Sequence, residues 1–468
     1  MLFKIAFRNI LRNARRSFMT MAAVAVGAIA LILFGEFMAY LVLGFQTTTV
    51  QQTGHLSVFR TGYFDFGAGN PAAYGIADYL GVIRLIREDA VLAPMSAVVT
   101  PRVTLFGIAG NFEIDASKTF IGYGVVPSDR DHMRRWDEHH IMRAGSRARD
   151  SGLRDDDQTR GVVGVGLARV LGLCHRLGLT DCPPRPAVAD ASAPVLSASE
   201  RELTELAQRD RDASQAKPED GPPRLDLLAA TAGGAPNVVS LNVAGAERQG
   251  IKELDDNFVA MHLKLAQQLL YGRGEHQAVA VVLQLHHTRD LPAARARLLA
   301  LFKEHALDLE VRDFTELQPQ YNQVIGLFGA IFFFIAAIMS VIVLFTVINT
   351  MSMSVMERTN EIGTARAMGV RRRGIRRQFL IEGWMLGTIG ASTGVVLAAL
   401  IAALVNRSGM TWTPPGQAAP IPLTLLASGV APLVLAVWLG LLLMATLAAL
   451  IPANRAARMP VVDALRHV

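Results

Sequence analysis

The chain has 468 residues, of which 51% are apolar and 18% are charged, and its formal net charge is +6. Soluble domains are about one quarter charged, so this composition argues against a purely soluble protein, and its apolar content rules out an intrinsically disordered one. Two cysteines are too few for a disulfide scaffold or a four-thiolate zinc site.

Four segments are long and apolar enough to cross a lipid bilayer. They are 17–45, 324–350, 379–405 and 423–451, each of about 25 to 29 residues. About 20 apolar residues cover the hydrocarbon core, so each segment can span it with tilt or project beyond it. The first is too long for the hydrophobic region of a signal peptide, and no small-residue cleavage site follows it. We therefore interpret it as an uncleaved membrane helix.

Lysine and arginine flank these segments unequally. Five lie in residues 1–16, seven in the 351–378 loop and three in the tail 452–468, but only one lies in the 406–422 loop. The positive-inside rule therefore predicts that both termini and the 351–378 loop are cytoplasmic. The 277 residues 46–322 would form an extracytoplasmic domain. Because much of the positive charge serves topology, we expect no nucleic-acid partner.

Glu36 lies inside the first segment, where an acidic residue costs about 2.5–3.5 kcal/mol on insertion scales. Two interpretations are open. Glu36 either makes a polar contact in the bundle interior or along a substrate path, or it reaches water at the outer interface. Its place about 19 residues into the segment favours the second.

The predicted outer domain alternates strand and helix patterns, so its class is α+β or α/β rather than a β-sandwich. Period-two alternation predicts strands, and apolar residues at helical spacing predict helices. The predicted strands are 55–59, 98–107, 119–124, 238–244 and 278–285, and the predicted helices are 77–87, 258–271 and 291–305.

The middle of this domain is charged and rich in proline. Residues 128–160 include three consecutive aspartates, and eight of the 21 prolines lie between Pro183 and Pro236. This composition predicts a flexible or poorly packed insertion around 128–236, with one short helix at 199–208.

Cys174 and Cys182 lie eight residues apart in the predicted outer domain. That compartment is oxidising, so a disulfide bond between them could form. It would close a short loop and contribute about 2–3 kcal/mol to stability. Two unpaired thiols are the alternative.

We find no convincing catalytic or metal site in the sequence. His132, His139 and His140 stand among acidic residues but lack the H-E-x-x-H spacing of a zinc protease. No G-x-x-x-x-G-K-[ST] motif is present, so we expect no ATP hydrolysis by a P-loop of this chain. We therefore expect a non-catalytic subunit with no cofactor or metal of its own.

The most informative stretch is 356–382, with the sequence MERTNEIGTARAMGVRRRGIRRQFLIE. Val355, Ile362 and Ala365 fall on one helical face, and Gly369 supplies a C-terminal stop. The pattern predicts a short amphipathic helix between two membrane segments, followed by a basic patch. A positively charged tether without a partner is the alternative.

This stretch resembles a known family of permeases, grouped with the macrolide exporter MacB, the lipoprotein-releasing LolC and LolE, and FtsX. The shared pattern is E-R-T-x-E-I-G-x-x-R-A-x-G, then R-R and F-L-I-E. Further resemblances lie at 7–12 (FRNILR), 164–173 (GVGLARVLGL), 250–256 (GIKELDD) and 452–466 (PANRAARMPVVDALR). The likeness fades at 128–160 and 183–236.

The resemblance implies the permease subunit of an ABC transporter in the bacterial inner membrane. Such permeases work as dimers of one chain or of two paralogues, each with a cytoplasmic ATPase subunit that binds ATP and magnesium. Only 16 residues precede the first segment here, so we expect a separate ATPase. In this family the loop helix docks on the ATPase as a coupling helix. The matching positions are Glu357, Arg358, Glu361, Ile362, Gly363, Arg366 and Gly369.

The resemblance also implies a mechanism. ATP binding would push the coupling helices and rock the first two spans, so that a two-part outer domain changes shape. That domain would act on a lipoprotein or pass a substrate to a periplasmic adaptor, and lipoprotein release fits best. An FtsX-like regulator of a cell-wall enzyme is an alternative, which the 277-residue outer domain disfavours. A membrane-embedded hydrolase is another, which lacks a nucleophile or metal set.

Overall fold

The computed structural model describes residues 2–67, 69–141, 151–179, 221–272, 276–413, 420–426 and 430–460. The chain divides into two units. The described residues within 2–45, 319–412 and 421–460 form a helical unit, and those within 46–318, with 413 and 420, form an α/β unit.

The helices and strands of the described residues are numbered here in chain order. The helices are α1 (Leu2–Arg12), α2 (Ala14–Thr53), α3 (Tyr79–Glu88), α4 (Leu92–Met95), α5 (Pro127–Arg134), α6 (Val165–Val170), α7 (Lys252–Asp255), α8 (Leu263–Tyr271), α9 (Leu291–Glu304), α10 (Phe314–Leu317), α11 (Pro319–Glu357), α12 (Thr359–Ala367), α13 (Arg372–Ser408) and α14 (Ala431–Arg458). The strands are β1 (Leu56–Arg60), β2 (Ser96–Asn111), β3 (Ala116–Val125), β4 (Arg160–Gly164), β5 (Arg224–Ala230), β6 (Pro236–Glu247), β7 (Phe258–His262), β8 (Ala280–Leu285), β9 (Leu309–Asp313), β10 (Thr411–Trp412) and β11 (Ile421–Pro422).

Four of these helices are long and apolar enough to cross a membrane: α2, α11, α13 and α14, with 40, 39, 37 and 28 residues. The first three contain the predicted segments and extend past them at both ends, because hydropathy locates the apolar stretch and not the helix ends. The fourth begins at Ala431, eight residues after its predicted start. Its second residue is Pro432, which favours the first turn of a helix.

Small residues on α13 let its neighbours approach closely. A Cβ built on Gly383 would lie 2.5 Å from the Cβ of Ala449 in α14. A Cβ built on Gly394 would lie 2.5 Å from the Cβ of Ala28 in α2. Membrane helices associate through such small-residue contacts, since lipid gives no hydrophobic driving force between them. The glycines therefore fix α13 against both α2 and α14.

Glu36 belongs to the buried face of α2 in the helical unit. It is 5% exposed and lies one helical turn after Ile32, which is 2% exposed. Its Oε2 atom is buried and has no hydrogen-bond partner among the described residues. The expectation that Glu36 reaches water is therefore wrong, because its position on the helix continues the face that packs into the bundle.

In the α/β unit, β2 is shared by two sheets. Its first half, residues 96–102, pairs with β8, and β8 continues through β1 to the edge strand β9. Its second half, residues 103–111, pairs with β3, and residues 108–110 pair with β5. From β5, the strands β6, β4 and β7 lead back to β3 and close a six-stranded ring. The unit is thus a mixed α/β structure with two parts.

Each part has its own apolar core. Inside the ring, buried side chains such as Leu105, Leu225 and Leu241 alternate with outward residues along their strands. The four-stranded sheet packs its Val281 and Leu283 against α3 and α9, which bury Ile86 and Leu298. A strand or helix with one apolar side has to bury that side, so both parts can form around their own cores.

Two expectations from the sequence differ from the observed fold. Residues 258–262 form strand β7, whereas 258–271 was predicted as one helix. All five residues of β7 are buried, so the strand lacks the alternation that identifies a half-buried strand. Residues 160–164 and 224–230, inside the predicted flexible insertion, form two strands of the ring. The predicted helix at 199–208 lies outside the described residues.

The segments 164–173 and 250–256 meet at the carboxylate of Asp255, which is 4% exposed. It accepts hydrogen bonds from the backbone N–H groups of Val165 at 3.2 Å, Gly166 at 2.8 Å and Gln249 at 2.8 Å. A Cβ built on Gly164 would lie 1.9 Å from the backbone oxygen of Asp255. These motifs therefore serve packing within the ring.

We predict that Gly164→Ala destabilises the ring by about 1–3 kcal/mol, the usual cost of an atom forced into a filled space. The measurement is hydrogen exchange of the β4 and β7 amides in the full chain, which should become faster. Gly245→Ala is the matched control, because a Cβ there meets nothing within 4 Å. Equal exchange in the two variants would contradict the close contact at Gly164.

Candidate functional site

The short helix predicted between two membrane segments is α12, Thr359–Ala367. It follows α11 directly, with Arg358 between them. Gly369 follows its end with a φ of +95°, a left-handed conformation that favours glycine and stops the helix. Local sequence thus explains where α12 begins and ends.

The seven positions matched to the family motif divide into two sets. Arg358, Ile362 and Gly363 are buried, and Arg366 is half-buried. Glu357, Glu361 and Gly369 are exposed. Ile362 packs into the apolar core of the helical unit, so α12 lies with one side on the helix bundle and presents the other side outward.

Arg358 forms a buried ion pair with Glu382 of α13. Its Nη1 atom lies 3.1 and 3.3 Å from the two carboxylate oxygens, and the side chains are 7% and 5% exposed. Asn9 of α1 donates a third hydrogen bond to Glu382, at 2.7 Å. The guanidinium also lies over the ring of Phe379, 5.6 Å from its centre. Buried charges need such partners, so α1, α13 and the start of α12 are fixed together.

Two exposed residues, Glu361 and Arg12, continue the hydrogen bonds of this ion pair toward the surface. Glu361 accepts hydrogen bonds from Arg358 Nε at 3.2 Å and from Arg12 Nη2 at 3.0 Å. The Arg12 and Glu361 side chains are 52% and 53% exposed, so their pair contributes at most about 1 kcal/mol. We call Asn9, Arg12, Arg358, Glu361 and Glu382 the Arg358 network.

Arg366 ties α12 to the last turn of α14. Its Nη1 atom donates to the backbone oxygens of Ala457 at 3.1 Å and Met459 at 3.0 Å. Carbonyls at a helix C-terminus lack partners within the helix and attract positive charge. Through Arg358 and Arg366, α12 is therefore attached to α1, α13 and α14.

Sequence reasoning singled out Arg358 and Glu361 but not their partners. Asn9, Arg12 and Glu382 lie in the FRNILR and FLIE segments, which were noted only as resemblances. Asn9 and Glu382 are polar residues among apolar neighbours, a pattern that indicates a specific partner when the position is buried. No rule of spacing joins residues 9 and 382, which are 373 positions apart.

A second polar cluster lies in the α/β unit, where the end of α2 meets the sheet. Thr288 Oγ1 lies 2.9 Å from Glu138, 3.1 Å from the Gln46 side-chain nitrogen and 3.1 Å from His55 Nε2. The Leu285 N–H donates to His55 Nδ1 at 3.0 Å, so Nε2 carries the proton. Gln46 and His55 thus hold the last turns of α2 against the sheet, with Glu138 as the anionic member.

His55 is neutral in this cluster. It is fully buried, and this burial lowers its pKa from 6.5 to about 4, against the smaller opposing effect of Glu138. A neutral imidazole suits its two hydrogen bonds, because one ring nitrogen accepts and the other donates.

The histidines noted in the sequence are not gathered with other metal ligands among the described residues. No group of three or more metal-ligating side chains occurs among the residues that the structure describes, and His132 and His140 are exposed. Cys182 lies outside the described residues, so the bond between Cys174 and Cys182 stays a prediction.

We predict that Arg358→Gln lowers the free energy of unfolding by about 3–5 kcal/mol, because it leaves the Glu382 carboxylate buried without its cation. Glu361→Gln should cost at most about 1 kcal/mol, since the Glu361 side chain is 53% exposed. The measurement is denaturant unfolding of the full chain in detergent, followed by helical circular dichroism. Similar losses in the two variants would refute the distinction between the buried ion pair and its exposed continuation.

We also predict that acid weakens the α/β unit through His55. The folded chain releases the His55 proton near pH 4 and the unfolded chain near pH 6.5. The unfolded state therefore binds more protons between these values, and the free energy of unfolding falls as the pH drops from 6.5 to 4, by up to about 3 kcal/mol.

His55→Gln should reduce this pH dependence in thermal unfolding between pH 7.5 and 4.5. His132→Gln is the control, because His132 is exposed, and it should behave like the unmodified chain. An unchanged pH profile in His55→Gln would show that other groups cause the acid sensitivity.

Comparison with known proteins finds a similar family over part of the helical unit. Residues 333–461 match the family described as FtsX-like permease C-terminal. The chain is 26% identical over 176 residues to the lipoprotein-releasing system transmembrane protein LolC of Neisseria meningitidis, covering 38% of this chain and 41% of LolC.

Two export proteins are also similar. The pyoverdine export ATP-binding/permease protein PvdT of Pseudomonas entomophila is 32% identical over 169 residues, covering 35% of this chain and 25% of PvdT. The macrolide export ATP-binding/permease protein MacB of Hyphomonas neptunium is 27% identical over 181 residues, covering 38% of this chain and 28% of MacB. The chain thus spans less than half the length of these curated relatives. With four helices able to cross a membrane and the FtsX-like match over residues 333–461, the chain is similar to the MacB, LolC and FtsX group of ABC transporter permeases.

Proposed function

We propose that this chain is the non-catalytic permease subunit of an ABC transporter, driven by a separate cytoplasmic ATPase subunit. The observation that supports this most is the Arg358 network. A force applied to α12 would act on the buried ion pair of Arg358 with Glu382 in α13. It would also act on the hydrogen bond of Arg366 to the end of α14. The force therefore passes to the membrane helices and is not absorbed by a loop.

The proposed topology follows from charge. Arginines concentrate around α1 and α12 and in the last turn of α14, so this end of the helical unit would face the cytoplasm. The α/β unit would then lie outside the bacterial inner membrane. ATP and magnesium would be bound by the partner subunit, and a second permease copy or a paralogue would complete a dimer.

The exposed side of α12 is the proposed ATPase contact. Thr364 on α12 and Glu357 at the end of α11 are exposed, and Met368 just beyond α12 is 76% exposed. Apolar side chains surrounded by polar ones are typical of the centre of protein interfaces. Arg358, Ile362 and Arg366 would position this surface rather than touch the partner.

The outward path of movement would use α2. This helix is unbroken from Ala14 to Thr53, and its last turns bond to Thr288 through Gln46 and to the Trp136 backbone oxygen through Gln51, at 2.7 Å. Movement of α2 along its axis would therefore displace the sheet and change the shape of the α/β unit.

The names of the relatives suggest which class of substrate to propose. LolC is named for lipoprotein release, MacB for macrolide export and PvdT for pyoverdine export. We propose lipoprotein release or export of a periplasmic substrate, with a lipoprotein or a periplasmic adaptor as partner. An FtsX-like regulator of a cell-wall enzyme is the alternative, and co-purification of a hydrolase instead would favour it.

We predict that Met368→Arg lowers the ATPase activity of the co-purified complex at least tenfold, because a charge would enter the centre of the docking surface. Met410→Arg is the matched control, an exposed methionine beyond the other end of α13, and it should keep the activity. Circular dichroism and elution volume should be unchanged in both. Full activity in Met368→Arg, or a purified complex without any ATPase, would contradict the proposal.

A further inference from the structure

The start of α13 carries five arginines that are not part of the α12 surface proposed above for ATPase docking. They are Arg371, Arg372, Arg373, Arg376 and Arg377, and all five are exposed. The acids nearest in sequence, Glu361 and Glu382, are paired with Arg12 and Arg358. In the part of the chain that the structure describes, no carboxylate pairs with any of the five, so the patch carries an uncompensated charge.

The five arginines point away from the protein interior. On this helix the buried positions are Ile375, 3% exposed, and Phe379, 1% exposed, one turn apart on the same face. Between Arg371 and Arg377, Gly374 and Ile375 are the two residues that are not arginine. The outward surface of this stretch is therefore made of guanidinium groups without an apolar centre, unlike a typical protein interface.

The patch lies just before the stretch of α13 that is long enough to cross the hydrocarbon core. Trp384 is 41% exposed and lies two turns after Arg377 on the same side, about 10 Å along the axis. Tryptophan marks the edge of the hydrocarbon core. From Trp384 to Asn406 the helix rises about 33 Å, enough for that core. The flexible arginine side chains can bridge the remaining distance to the headgroups.

We propose that these five arginines form a binding surface for the phosphate headgroups of anionic phospholipids. Guanidinium groups bind phosphate through paired hydrogen bonds, and each basic residue near an anionic surface contributes about fivefold in affinity. The inference requires that α13 spans the membrane, but it does not require ATPase coupling. Headgroup binding would set the depth at which α13, and with it α12, stands at the membrane surface.

The test is a titration of the full-length protein in detergent with phosphatidylglycerol and, separately, with phosphatidylcholine. Bound lipid is counted by native mass spectrometry. The triple variant Arg373→Gln, Arg376→Gln and Arg377→Gln should bind phosphatidylglycerol about a hundredfold more weakly, following the fivefold contribution of each charge. Phosphatidylcholine binding should be the same in all proteins.

Two further variants control for net charge and for folding. Arg60→Gln, Arg84→Gln and Arg154→Gln remove the same charge from exposed positions of the α/β unit and should leave phosphatidylglycerol binding intact. Replacement of Arg373, Arg376 and Arg377 by lysine keeps the charge and should keep binding within about tenfold.

Unchanged phosphatidylglycerol binding in the glutamine variant at α13 would overturn the proposal. So would an equal loss in the α/β control, or a loss in the lysine variant as large as in the glutamine variant. If the α13 variant keeps its lipid but the ATPase subunit no longer co-purifies, the patch is a protein docking surface and the inference fails. Failure of the Met368→Arg test would leave this result unaffected.

Discussion

The buried pairing of Arg358 with Glu382 is the interaction on which the arrangement of the helical unit depends. Neither charge has access to water, with 7% and 5% of the side chains exposed, so each requires the other. Well-packed apolar residues would stabilise this junction as well or better. An ion pair with a third bond from Asn9 has a preferred geometry, however, and we infer that it holds three helices in one register at the point where the proposed force on α12 would enter the bundle.

In both units a long helix is held firmly in place, but the contacts that hold it differ. In the helical unit, α13 is pinned by glycines that bring it against α2 and α14. In the α/β unit, the end of α2 is held by the Thr288 cluster, whose donors and acceptors are matched through a neutral His55. Close packing and a satisfied hydrogen-bond network both resist small displacements. The proposed transmission of movement through α2 would need such stiff attachment at each end.

The sequence predicted the parts of this molecule that depend on local pattern. Hydropathy located the four long helices, and Gly369 marked the end of α12. Local pattern could not predict strand β7, because burial on both faces removes the period-two signal. It could not predict that Asn9 meets Glu382, since that contact joins distant positions. Prolines around β5 also concealed a strand whose Leu225, Leu227 and Ala229 alternate inward.

The sharing of β2 between the ring and the four-stranded sheet limits how the α/β unit can deform. Two lobes joined by a flexible linker could move apart by a hinge motion. Here the backbone hydrogen bonds of one sixteen-residue strand belong to both, so the lobes have a common spine. A wide opening would break the ladders on that spine, whereas bending or twisting about its middle would keep them. If α2 moves along its axis as proposed, the α/β unit should therefore bend or twist about β2 and should not open.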